Sequence, residues 1–258
     1  MRGVAPQNAQ SLYDTLPETV AQLLGATNHI SAIADNEALG DNVPGVMAYF
    51  SPYTREVVVQ TALTRSLNDV IEQPAGMLVQ LQYQAQDEWR LKIAKTNLCL
   101  LLGRVVQGIG PVDRAVAENE WHSLWVHPHV HTLVFGIAEL VAEQFINHVI
   151  VECGLDVVDP RLLEVELLHR RYVAQTELVA GILTEIARGR GTTMQDELCI
   201  LLRDGCGQLA LWRLVERWGA HADFANPKKL RGPGGLVELR HSLEHSLNSM
   251  TKEWLNAA

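Results

Sequence analysis

Residues 121–131 read WHSLWVHPHVH, with His122, His127, His129 and His131 inside eleven positions and Pro128 between two of them. If His127 to His131 were extended, the period of two would set three imidazoles on one face, as metal-binding strands do. Glu118 lies one helical turn before His122 and could complete a ligand pair or simply hydrogen-bond to it. Against the metal, Pro128 suits the first turn of a helix, and the residues after it are strongly helical in pattern. Helical spacing would turn His129 and His131 about 160° apart and lose the shared face. The helical reading is preferred, with Glu118, His122, His127 and His131 kept as candidate metal ligands.

A second set of carboxylates lies just downstream. Gly136, Glu139, Glu143 and Asn147 recur at three- and four-residue spacing and fall on one stripe of an otherwise apolar segment. Either the stripe is that helix's wet side, or Glu139 and Glu143 are held in a cleft where desolvation would raise a carboxyl pKa. The wet-side reading is preferred; Glu139 and Glu143 remain the candidate catalytic pair. His148 is on another face and reads as a hydrogen-bonded, half-buried side chain.

Glu166-Leu-Leu-His169 and Glu238-Leu-Arg-His241 repeat the Glu-x-x-His spacing of di-iron carboxylate bundles. A chain of this composition yields about one such motif by chance. On the expected last helix, Leu236, Leu239, Leu243, Leu247, Met250 and Trp254 form the apolar stripe, and Glu238 and His241 point away from it. On an expected helix 160–187, Val165, Leu168, Tyr172, Val179, Ile182 and Ile186 form the stripe, with Glu166 about 150° away. Both motifs therefore read as solvated faces. There is no Walker A loop, GxSxG elbow, GxGxxG, HExxH or EF-hand pattern.

The elements that must position these residues are mostly helices. Thr15, Pro17 and Glu18 suggest the start of a short first helix ending near Gly25. Breakers from Asp35 to Tyr53 indicate a loop, and TREVVVQTALTRSLNDVIEQ a helix closed by Pro74 and Gly76. MLVQLQYQAQ alternates apolar and polar residues like a strand, but no partner strand is evident, so it is taken as the start of a long helix through Gly108. Further helices are expected over VDRAVAENEWHSLWV and over 132–152, 160–187, 194–218 and 235–256. Pro160 and Asp159 mark the second of the four ranges.

The expected architecture is all-α: an irregular multi-helix bundle, with residues 1–75 a less regular helical region and 76–258 the main bundle. The chain has 258 residues, 47% of them hydrophobic, enough for a sizeable core. Its formal charge of −9 argues against nucleic-acid binding. The run Leu133–Val151 is long enough to cross a bilayer, but Glu139, Glu143, Asn147 and His148 interrupt it, so a buried helix and no membrane partner are expected. Four scattered cysteines and an N-terminus without an apolar leader pattern suggest a reduced, cytoplasmic or otherwise intracellular protein. Function is read as a non-enzymatic module for protein interaction or self-assembly, with a homo-oligomer expected. The alternative is a helical, metal-dependent enzyme, non-haem or di-iron, using carboxylates and histidines of residues 118–148. No particular cofactor follows from the sequence.

Overall fold

The computed structural model describes residues 4–39, 46–51, 54–72, 84–109, 128–170, 172–202, 213–214 and 217, without the side chains of 84, 85 and 128–132. The expected helix over 112–126, the C-terminal helix with Glu238 and His241, and the alternating residues 77–83 lie outside this set. So do Glu118, His122 and His127.

The first helix, α1 (Ala9–Leu23), starts earlier than Thr15 because Asn8 and Ser11 cap it reciprocally. Asn8 Oδ1 accepts from Ser11 N at 2.8 Å, and Ser11 Oγ accepts from Asn8 N at 3.1 Å. Pro17 sits inside this helix rather than at its start, and Gly25 follows its end with φ +62°.

Three strands correct the all-α expectation. β1 (Ala32–Asn36), β2 (Ala48–Ser51) and β3 (Glu56–Gln60) form a mixed sheet in the order β1-β3-β2. β3 is parallel to β1, pairing Ala32 with Glu56, and antiparallel to β2, pairing Ala48 with Val59. The supposed loop 35–53 thus contributes the end of one strand and the whole of another. Glu56-Val-Val-Val-Gln60, expected as a helix start, is the central strand: its β-branched side chains lose rotamer freedom in a helix but pack well on a pleated surface. Val57 and Val59 are fully buried. Helix α2 (Thr61–Ile71) follows without a break, tied to α1 by Ala9 N donating to Asn68 Oδ1 at 2.6 Å.

Two 25-residue helices, α3 (Gln84–Gly108) and α4 (Pro128–Glu152), form the centre of the protein. Every residue from Leu98 to Ile109 is buried, as is every residue from Leu133 to Ala142 except the half-buried Phe135. The two helices run antiparallel, since Arg104 faces Glu139 while Cys99 shares a cleft with Glu143. Leu133–Glu152 is the one described helix long and apolar enough by composition to cross a membrane. Here its faces pack on α3 and on α6 (Val173–Arg190).

The expected helix 160–187 is broken. After α5 (Leu155–Val158) comes a 3₁₀ turn, Pro160–Leu163, capped by Asp159 as anticipated. Residues 164–170 are irregular, and α6 begins only at Val173, behind Tyr172 in the left-handed region at φ 54°. The stripe Val165, Leu168, Tyr172 is therefore not a helical stripe. Helix α7 (Met194–Leu202) completes the described elements.

Candidate functional site at the α3–α4 seam

The seam is built around one charge on each helix. Arg104 is the single cation in the apolar second half of α3, and its side chain is 1% exposed; that of Glu139, facing it from α4, is 4% exposed. Arg104 Nη2 donates to Glu139 Oε1, forming a buried ion pair. Its guanidinium also lies 4.4 Å from the Phe135 ring centroid and 5.2 Å from that of Tyr172, within cation–π range of both. The two rings contact each other at 5.1 Å. Gly103 makes room for the carboxylate: a Cβ there would lie 2.8 Å from Glu139 Oε1.

One turn further along α4, Glu143 accepts two hydrogen bonds from Arg170, Nε to Oε1 at 2.9 Å and Nη2 to Oε2 at 2.6 Å. This fork engages both carboxylate oxygens. A cleft of about 10 Å³, room for roughly one water molecule, is lined by Thr96, Cys99, Glu139, Glu143, His169 and Arg170 with two leucines. Burial pushes the Cys99 thiol up to about 12, and the carboxylates of Glu139 and Glu143 add to the rise. A thiol so hard to ionise is a poor nucleophile at neutral pH. Lys95, one turn before Cys99, is buried and donates to Val165 O at 2.8 Å and Leu163 O at 3.3 Å; burial pulls its pKa below the usual lysine value.

The carboxylate stripe is therefore not the wet side of α4. Gly136 at its start is buried so tightly against α6 that a Cβ would lie 2.4 Å from Gln175 O. Glu139 is buried and Glu143 largely covered, and only Asn147 is exposed. His148 is exposed, with its ring 5.9 Å from that of Phe145.

The metal candidates fare differently. Helix α4 begins at Pro128, as its proline implied, so residues 128–131 are helical and the extended, one-faced arrangement of imidazoles is not formed there. The His131 side chain lies outside the described residues. Glu166 and His169 are exposed but on the irregular segment, not on a helix. Among the described residues no group of three or more His, Cys, Asp or Glu is arranged to hold a metal.

Two more ion-pair clusters were missed by the sequence reading. Asp87 of α3 receives Arg90 Nη2 at 2.7 Å and Arg161 Nη1 at 2.5 Å, while Arg161 also holds the buried Asp159 at 2.7 Å. Burial works to raise the Asp87 pKa, but the hydrogen bonds from Arg161 and Arg90 outweigh it and bring the carboxyl below its ordinary value. At the start of α7, buried Glu197 pairs with Arg217 and accepts from Thr192 Oγ1 at 2.7 Å. The available signal was local for Arg104, the single cation in the apolar second half of α3, and for Glu139, within an apolar run of α4. For Asp87 and Arg161, 74 residues apart, no such signal existed.

The chain matches no protein-family model, no curated protein and no solved structure.

Proposed function

We propose that the chain is a non-enzymatic helical module that assembles with itself or with another protein. The observation that carries this reading is the engagement of both candidate carboxylates by arginines, Glu139 by Arg104 and Glu143 by Arg170. A general base must take up a proton and a metal ligand must share its lone pairs with a cation, and a guanidinium paired to the carboxylate competes with both. The same arrangement weighs against the metal-dependent alternative built on Glu139, Glu143 and the histidines of 122–131, because a metal cation would have to compete with both arginines for these carboxylates. Support for an interaction surface comes from large apolar side chains left in solvent: Trp89 is 57% exposed, Val157 62% and Tyr49 41%. Aromatic side chains of this kind are enriched among residues that anchor protein interfaces.

Sedimentation equilibrium of the full chain, together with elemental analysis, tests the proposal. The expected mass is a multiple of 28.6 kDa without stoichiometric metal, reduced in a folded Trp89→Glu variant. A metal-free monomer at all micromolar concentrations would remove self-association and leave only a foreign partner. Stoichiometric metal lost in Glu139→Gln would favour the enzyme.

A further inference from the structure

We infer that residues 164–170 form a detachable strap over the α3–α4 seam, which opens as a local unit while the helices beneath stay packed and thereby admits solvent to Cys99. The inference is independent of the proposed assembly function.

The strap lies between two fixed ends, the 3₁₀ turn held by the Asp159 cap and the buried Leu162, and helix α6, which packs on α4 through Gly136. Among residues 164–170 none is fully buried: Glu164, Glu166, His169 and Arg170 are exposed, and Val165, Leu167 and Leu168 are half-buried. Its ties to the helices below are made by side chains. Lys95 holds the carbonyls of Leu163 and Val165, Thr96 Oγ1 accepts from Leu168 N at 2.9 Å, and Glu143 holds Arg170. Leu167, His169 and Arg170 form one wall of the small cleft, and Thr96, Cys99, Leu100, Glu139 and Glu143 the others.

Segments with few buried apolar contacts open at lower free energy than the core they cover. The helices do not depend on the strap for cohesion, because α3 and α4 meet through continuous buried apolar faces.

The two buried cysteines give the test an internal reference. Cys99 lies under the strap, whereas Cys153 is equally buried just past the end of α4. In a full-length chain carrying Cys199→Ser and Cys206→Ser, labelling by a neutral maleimide is followed at both thiols in low urea, with rates referred to unfolded peptides. Local opening predicts Cys99 labelling at least about tenfold faster than Cys153 and less dependent on urea. Glu143→Gln and Lys95→Met should each accelerate Cys99 severalfold and leave Cys153 unchanged. If either variant fails to fold, Arg170→Gln, at an exposed position, makes the same cut. Equal rates with equal urea dependence would mean that Cys99 is reached only through global unfolding and would overturn the inference. Acceleration of both thiols together, or of neither, by the tether variants would do the same.

Discussion

Removing Glu139 should cost more than its packing alone accounts for, and removing Arg104 with it should restore most of the loss. With the two side chains 1% and 4% exposed, either single replacement leaves the other charge buried without its counter-ion. Such a stranded charge typically costs about 3–5 kcal/mol. Glu139→Gln separates charge from shape, because it keeps the volume beside Gly103 while losing the anion, and it should fall in the same range. Arg104→Met should stand at the upper end, since it also forfeits stacking on Phe135 and Tyr172, worth about 1 kcal/mol or more when desolvated. In the double variant Arg104→Met, Glu139→Leu no charge remains in the seam. Replacements of this kind are often neutral or stabilising, so a stability within about 2 kcal/mol of the parent is expected.

The assay is urea unfolding of the parent, the single variants Glu139→Gln, Glu139→Leu and Arg104→Met, and the double variant, followed by far-ultraviolet circular dichroism and extrapolated with a common slope. The double-mutant cycle then yields the coupling between the two side chains. A double variant whose loss equals the sum of the single losses would show that the pair is uncoupled. A loss below about 1 kcal/mol for Glu139→Gln would mean that water reaches the seam and that the pair behaves like a surface bridge.

Three further outcomes follow from the same geometry. Gly136→Ala should destabilise by about 1–3 kcal/mol in the same unfolding assay, because its new Cβ would meet the Gln175 carbonyl at 2.4 Å and backbone cannot yield as a side-chain tip can; a neutral result would place α6 further from α4. Gly25→Ala should cost about 1 kcal/mol for its φ of +62° alone, with open space around the Cβ; a cost like that of Gly136→Ala would show crowding at that helix end. Asp87, whose folded pKa is lowered, binds its proton more readily when unfolded, so its stabilisation is full above the unfolded value of about 3.9 and is lost as pH falls through the folded value. Melting temperatures from pH 6 down to pH 2 should therefore fall less steeply in Asp87→Asn than in the parent, and parallel curves would refute the assignment.

The long apolar helices were legible because their patterns are self-contained: Pro128 opens α4 where a proline can, and Leu133 to Ala142 beyond it are buried all round apart from half-buried Phe135. The sheet was hidden by its shortness. Ala32–Asn36 carries one large apolar side chain, Ala48–Ser51 has four residues between breakers, and Glu56–Gln60 runs into α2 with no glycine or proline to mark the change. The break at 164–170 carries no local signal either. Glu164 to Tyr172 contains neither glycine nor proline, and what departs from helix there is held by Lys95, Thr96 and Glu143 of other elements. Tertiary bonds of that reach override a helical pattern without leaving a mark in it. The stripe Gly136, Glu139, Glu143 was correctly placed on one face, but its preferred exposure was wrong, because that face meets α6, α3 and the segment carrying Arg170.

Charge at the seam has a structural use that does not depend on chemistry. Two helices with continuous apolar faces can pack in several registers, since displacement by one turn, about 5.4 Å, exchanges one leucine or valine contact for another at little cost. Arg104 and Glu139 remove that freedom. A one-turn slide would separate the pair inside the core and strand two charges at once, and it would carry the carboxylate off Gly103, the residue that leaves room for it. Gly136, about one turn earlier on the same stripe, restricts the helix further, because a residue without a Cβ lets the α6 backbone approach there so closely. A polar pair that fixes register need add nothing to net stability, only raise the energy of the alternatives. The double variant should therefore retain its stability while showing broadened tertiary signals at Phe135 and Tyr172, and a spectrum as sharp as the parent's would assign the register to apolar packing alone.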